Sequence, residues 1–244
     1  MGLQYGPRYN KVSEITGPSG FYSIKLGSEY ATVYVDQTYD GGGWICVMAN
    51  RINTGGMGNL TYTNAVNSSN YRTGGSTNTP GPGVDPATSL SGLSNYNIWI
   101  GTKYWEQLGK RVNSSYVTVV QFVASTSGTA LGSTGSHTKR YRWRFNSFNG
   151  TYGFTGAAAI SDETSTGAPG MYSYHALNGF SLTTYDTDQD ANPSENCSTY
   201  YANNPFWYGY CWSGNWFAGN GYVDGPYWDS STTDYHNYGA IYIK

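Results

Sequence analysis

The sequence predicts a sheet-dominated α+β fold with few short helices. Aromatic residues make up 17% of the 244 residues, with 25 Tyr and 8 Trp. Rings and β-branched side chains fit the pleated, half-buried surface of a sheet better than that of a helix. Several stretches alternate apolar and polar residues with period two, and no amphipathic stretch exceeds two helical turns.

Taken in order, residues 1–18 are polar, hold Pro7 and Pro18, and read as a tether or docking segment. Residues 20–35 alternate, with Tyr22, Ile24, Ala31, Val33 and Val35 on one face. Asp40-Gly41-Gly42-Gly43 is a turn signal, and residues 44–49 follow as a buried strand. Residues 51–93 are dominated by Gly, Asn, Thr, Ser and Pro, and read as a long ordered loop or insertion. Residues 97–101 form a short strand, 103–108 one or two helical turns, and 116–124 a β-branched strand. In residues 140–145 three arginines alternate with Tyr141, Trp143 and Phe145, which puts the charges on one face of a strand. Residues 150–175 are Gly-rich again, and the run to Lys244 ends in an alternating strand. No internal repeat is present. The expected organisation is one domain over 19–244, with a loop-rich lobe over 176–244.

A chain of this length buries a sizeable core without needing disulfides. Only 11% of residues are charged, so Ser, Thr, Asn, Gly and Tyr must cover the surface. That is the composition of adhesive surfaces, in which rings make contact and small polar groups hydrogen-bond. It suits a carbohydrate partner, and it equally suits a β-protein with a neutral coat. The net charge is −2 and no basic stripe exists, which argues against nucleic acid, and the arginine strand reads as a solvated sheet face. No apolar run reaches membrane-spanning length. The first residues lack the basic and apolar pattern of a secretion signal, so either a signal has been removed or the protein is made and assembled in the cytoplasm.

The chemistry concentrates in residues 178–212. Asp186, Asp188 and Asp190 alternate there in a chain otherwise poor in charge, and Cys197 and Cys211 bracket Trp207 and Tyr208. Alternating carboxylates suit a hard, oxygen-seeking cation such as calcium, and they equally suit a solvated turn built on Asx hydrogen bonds. The spacing lacks the twelfth-position Glu of an EF-hand. Two cysteines closing a short loop suit a local disulfide. Cys46, the odd third, lies in an apolar run and reads as a buried free thiol.

At this point the chain resembles the fibrinogen C-terminal-like domain family, of the bacterial and phage type. The resemblance rests on Ser19-Gly-Phe-Tyr-Ser-Ile24, Val33-Tyr-Val-Asp36, Asp40-Gly-Gly-Gly-Trp44 and Ile98-Trp-Ile-Gly101. It continues through Asn178-Gly-Phe-Ser-Leu-Thr-Thr-Tyr-Asp-Thr-Asp-Gln-Asp190, Asn196-Cys197, Trp207-Tyr208 and Cys211. The blocks stand in the family's order. Val35 replaces a family cysteine, which removes the N-terminal disulfide. One extra residue precedes Asn196, Trp212 stands where the family often has His, and 51–93 does not match.

The resemblance implies calcium held by the side chains of Asp188 and Asp190 and by backbone carbonyls, here assigned to Asn192 and Ser194. Asp186 is then an outer support or a loop-capping acceptor. It implies a Cys197–Cys211 disulfide and a ligand pocket beside it. Asn196, Cys197, Trp207, Cys211 and Trp212 carry over by position, and Tyr222, Asp224, Tyr227 and Trp228 follow by a looser match. Trp212 and Tyr227 are the expected stacking walls for a sugar ring.

A catalytic set is not expected. His137, His175 and His236 share no ligand spacing, and no HExxH, GxSxG or CxxC motif occurs. A glycosidase needs two opposed carboxylates, which Asp224 or Asp229 with Glu195 could in principle supply. The expected function is calcium-dependent, non-catalytic recognition of surface glycans by a virion receptor-binding or adhesion protein. In that setting it is a homo-oligomer or is attached to a larger assembly through its N-terminal segment. A structural decoration or adaptor protein and a secreted lectin are the alternatives.

Overall fold

A computed structural model describes residues 7–38, 41–51, 60–68, 71–73, 97–108, 111–112, 115–116, 118–125, 139–145, 147–149, 153–155, 158–159, 180–211 and 238–244. Within these, strands β1 (Arg8–Tyr9), β2 (Gly20–Leu26), β3 (Glu29–Asp36) and β4 (Trp44–Arg51) precede helix α1 (Tyr62–Asn67). Strands β5 (Tyr71–Thr73) and β6 (Asn97–Trp99) lead through a 3₁₀ turn at Thr102–Tyr104 into α2 (Trp105–Leu108). The short pair β7 (Arg111–Val112) and β8 (Ser115–Tyr116) is followed by β9 (Thr118–Ser125) and β10 (Lys139–Phe145). A second short pair, β11 (Ser147–Asn149) and β12 (Gly153–Thr155), then β13 (Ala158–Ala159), α3 (Cys197–Tyr200) and β14 (Tyr238–Ile243) complete the order. The result is the sheet-dominated fold with few short helices that the composition predicts.

The main sheet runs β1-β2-β3-β4-β14-β9-β10-β13, with β6 beside β4 and β5 beyond it. Its pairings are antiparallel except β1 with β2. The alternation in residues 20–35 becomes a hairpin: Ile24, Leu26, Ala31, Val33 and Val35 enter the main core, and Tyr22 packs against it. In β4, Ile45 and Val47 face this core while Trp44, Cys46 and Ala49 face the opposite side. Met48 joins the main core as well, because the register with β14 slips between Ile241 and Tyr242 and leaves Val47 as the extra residue. The turn into β4 needs glycine. Gly42 has φ 74°, and a Cβ there would lie 2.6 Å from Gln37 Oε1 and 2.7 Å from its carbonyl oxygen.

Two expectations are corrected. The predicted tether is part of the domain over residues 7–18: β1 pairs with β2, Ile15 is buried, and Gln37 Nε2 donates to the Ile15 carbonyl at 2.9 Å. Residues 1–6 lie outside the described residues. The predicted insertion at 51–93 is also partly core, since it contributes buried Leu60, α1 with buried Ala65, and β5. Trp99 Nε1 donates to the Ala65 carbonyl at 2.8 Å, and Gly101 N–H to the Ser68 carbonyl at 2.7 Å. A Cβ on Gly101 would meet the Val66 carbonyl at 2.5 Å, so α1 sits hard against the end of β6.

Candidate functional site

Residues 180–211 pack on the main core through a cluster of rings. Trp207 is fully buried, 5.4 Å from Trp105 and 6.2 Å from Trp99 between ring centroids. Phe206 and Tyr208 are buried beside it, and Tyr201 stacks on Tyr208 at 5.5 Å. Trp207, which the resemblance groups with the ligand-binding residues, is packed inside this cluster. Its flanks are taken by tryptophans that come about 100 residues earlier in the chain, and apolar rings of this size give most when fully removed from water.

From this base the chain forms a tight acidic loop. Thr183 and Phe206 exchange backbone hydrogen bonds at 2.9 and 3.1 Å, and Thr184 and Thr187 do so at 2.9 and 3.1 Å. Gln189 is pulled inward, donating from its backbone N–H to Thr183 Oγ1 and from Nε2 to the Leu182 carbonyl, both at 3.1 Å. Asp186 points away from its neighbours: its Oδ1 accepts from the Tyr62 N–H at 2.9 Å and from Thr184 Oγ1 at 2.7 Å.

Asp188 and Asp190 are brought together. Asp188 Oδ1 accepts the Asp190 N–H at 3.3 Å. Asp190 Oδ1 accepts the Asn192 N–H and Oδ2 the Cys197 N–H, each at 2.8 Å. Burial raises the Asp190 carboxyl above its ordinary value; the two backbone donors oppose this, and the neighbouring Asp188 carboxylate adds to it. Asn192 Oδ1 accepts from the Ser194 N–H at 3.1 Å, an Asx turn that bends the chain around the carboxylates.

Cys197 and Cys211 form a disulfide, with Cα atoms 4.7 Å apart, and Cys46 is a buried free thiol. Asn192 Nδ2 donates to Cys211 Sγ at 3.2 Å, which ties the bridge to the acidic loop. Asn196 caps α3: its Oδ1 accepts from Ser198 and Thr199 N–H at 2.8 and 3.2 Å, while Nδ2 donates to the Thr184 carbonyl at 2.9 Å. After α3, Ala202 and Asn203 have φ of 55° and 64°. Asn204, buried, holds this reversal by donating from Nδ2 to the Tyr201 carbonyl at 2.8 Å.

The structure thus gathers Asp188, Asp190, Asn192, Ser194, Asn196, Cys197 and Cys211 into one lobe. Trp212, Tyr222, Asp224, Tyr227 and Trp228 lie outside the described residues. Sequence reasoning passed over Tyr200 and Tyr210, which are exposed within the loop that the disulfide closes. Tyr200 packs edge-on to Tyr201 at 5.0 Å, and Tyr201 OH donates to the Cys211 carbonyl at 3.1 Å. The density of tyrosines over 199–210 was the signal available.

The donor set fits a hard divalent cation. It is all oxygen, and the two carboxylates repel each other until a positive charge joins them. Each Asp190 oxygen keeps a lone pair beyond its N–H bond. Among the described residues no group of three or more His, Cys, Asp or Glu converges, so a calcium ion here would draw the rest of its six to eight oxygens from backbone carbonyls and water.

An antiparallel sheet with β14 at its centre, carrying on its aromatic core an acidic loop tied to a neighbouring disulfide loop, defines a fibrinogen-like globe domain. The chain belongs to the family described as fibrinogen beta and gamma chains, C-terminal globular domain, whose model matches residues 10–241. The fibrinogen-like globe domain of human ANGPTL6 is similar at 18% identity and TM-score 0.58, over 100% of this chain and 98% of that one. That of human ANGPTL2 is similar at 18% identity and TM-score 0.55, over 96% and 95%. A lamprey fibrin D-dimer complexed with the peptide Gly-His-Arg-Pro-amide is similar at 11% identity and TM-score 0.58, over 98% of this chain and 74% of that one. No curated protein matches the chain. Fibrinogen-like domains are typically ligand-binding recognition modules rather than catalysts. Among the described residues no helix is long and apolar enough to cross a membrane.

Proposed function

We propose that this protein recognises surface carbohydrate without catalysis, with calcium bracing the recognition lobe. The observation that carries the reading is the pairing of Asp188 and Asp190 on a loop bonded to the disulfide, beside exposed Tyr200 and Tyr210. Asp188 and Asp190 would hold the cation, with the carbonyls of Asn192 and Ser194. The bound ion supplies positive charge that removes the repulsion between the carboxylates. Asn196 shapes the lobe as a helix cap, and Cys197 and Trp207 support it from within. Ligand contact then falls to exposed rings, Tyr200 and Tyr210 among them, and to the residues beyond Cys211 that the family pattern marks, Trp212 and Tyr227 first.

Stacking and a few hydrogen bonds support weak single-site binding, on the order of millimolar to high micromolar, or about 4–6 kcal/mol. Useful adhesion then comes from several linked copies. The proposed setting is a virion surface that meets a bacterial envelope, which suits a coat poor in charge and rich in Gly, Asn, Thr and Tyr. Detection of the chain by mass spectrometry in purified particles tests that setting.

A glycan array with calcium and with EDTA tests the recognition itself. Binding to a defined glycan class that EDTA removes is the expected result. Silence on all glycans overturns the carbohydrate reading. A peptide ligand is the second reading, since the similar lamprey fibrin structure holds one; anisotropy of a labelled Gly-His-Arg-Pro-amide separates the two.

A further inference from the structure

We infer that Asp186 is a positioning residue, which carries the placement of helix α1 to the Asp188–Asp190 loop and is not itself a cation ligand. The inference rests on the calcium reading for its consequence and on hydrogen bonds alone for its substance. The three aspartates are equivalent in spacing, yet Asp186 has a different set of partners. Its Oδ1 already accepts two donors, the Tyr62 N–H at 2.9 Å and Thr184 Oγ1 at 2.7 Å. Tyr62 is the first residue of α1, after the cap Thr61, so its N–H is one of the helix donors without an intrahelical partner. Asp186 therefore joins the acidic loop to an element 124 residues away in sequence.

Both ends of this link are fixed. Helix α1 is held by Trp99 Nε1 on the Ala65 carbonyl and by Gly101 N–H on the Ser68 carbonyl. On the other side Thr184 is a hub. Its hydroxyl serves Asp186, its backbone pairs with Thr187, and its carbonyl accepts Asn196 Nδ2 at 2.9 Å. Asn196 in turn caps α3, whose first N–H, from Cys197, binds Asp190 Oδ2 at 2.8 Å. A path thus runs from α1 by hydrogen bonds through Asp186 and Thr184 to Asn196, and from there through the Asn196–Cys197 peptide and the Cys197 N–H to Asp190. Groups that orient metal ligands in this way typically change affinity about 10–100-fold when removed.

Tyr62→Pro tests the link from its far end. Proline is favoured at the first helical position, and beyond the loss of the tyrosine ring it removes the N–H. Thr61, at φ −69° and ψ 155°, already has the extended conformation that a following proline requires. Tyr62→Ala is the control that removes the ring and keeps the donor, and Asp186→Ala removes the acceptor. The first readout is amide hydrogen exchange in EDTA, which needs no cation. Thr187, Asp190 and Cys197 amides should exchange roughly 10-fold faster in Tyr62→Pro and Asp186→Ala than in Tyr62→Ala and wild type. The second is calcium affinity, expected to fall about 10-fold in both variants and no further in the double variant. The third is the terbium luminescence lifetime in H₂O and D₂O, which counts waters on the bound ion and should be the same in Asp186→Ala as in wild type. Equal exchange in Tyr62→Pro and Tyr62→Ala, or an extra bound water in Asp186→Ala, overturns the inference. If exchange responds as expected but wild type binds neither calcium nor terbium, the positioning role stands and the calcium reading falls.

Discussion

Removing the Cys197–Cys211 bridge should destabilise the protein by about 3 kcal/mol. The bridged residues are separated by 14 in sequence, so the bond closes a loop of about 15 residues. Chain-entropy arguments give roughly 3 kcal/mol for such a loop, because the unfolded chain regains the freedom that the bridge removed. Local packing sets the choice of replacements. Cys197 is fully buried and is best replaced by Ala; Cys211 is half-buried and accepts Asn192 Nδ2, so Ser keeps an acceptor there. For a chain of this size 1 kcal/mol moves the melting temperature by about 2–4 °C, which puts the double variant about 6–12 °C below wild type. Urea unfolding at fixed calcium concentration measures the free energy and, through the slope, the surface exposed. A steeper slope in the variant is expected, since its unfolded chain is more open. A loss under about 1 kcal/mol, or a full loss with an unchanged slope, would refute the entropic account and assign the lobe's stability to the Trp207 cluster alone.

Further outcomes follow from other features. Trp207→Ala should cost about 3–5 kcal/mol in chemical denaturation, because it empties a cavity between Trp99 and Trp105. Calcium should raise the melting temperature, by about 2.7 kcal/mol of stabilisation at 100 times Kd, and Asp188→Asn with Asp190→Asn should abolish that response in titration calorimetry. Burial pushes the Cys46 thiol up to about 12 from an ordinary 9.0. The native state thus holds this proton more tightly than the unfolded chain, and stability that is complete below pH 9 is lost as pH rises toward 12, at about 1.4 kcal/mol per pH unit. Alkaline denaturation curves should show Cys46→Ala lacking the portion of the decline that starts near pH 9. Ala202→Gly should raise stability by about 0.5–1 kcal/mol in thermal unfolding, the left-handed strain at φ 55° exceeding the extra freedom of glycine in the unfolded chain.

What was legible in the sequence follows from how local each signal is. The period-two pattern of residues 20–35 reports a face directly, and the β2–β3 hairpin buries that face. The cysteine pair is a short-range signal too. β1 was not legible: a two-residue strand has no period, and its partner β2 lies beyond a 3₁₀ turn. Leu60 and Ala65 are isolated apolar residues in a Gly- and Asn-rich stretch, so composition hides their burial. Spacing alone made Asp186, Asp188 and Asp190 equivalent, and only the arrival of Tyr62 N–H separates the first from the other two. For Trp207 the deciding neighbours, Trp99 and Trp105, are just as remote.

The position of β14 sets a schedule for biosynthesis. It is the central strand that joins β4 to β9, although it comes last among the described strands. On the ribosome the hairpin of β2 and β3 with β4 emerges early, yet the open edge of β4 has no partner until residue 243 appears. At about 5–20 residues per second, the interval between residues 51 and 238 is roughly 10–40 s. During that time an apolar strand edge is free to pair with another nascent chain. Close spacing of ribosomes on one message should therefore lower the share of chains that reach the native state, whatever the stability of the finished domain.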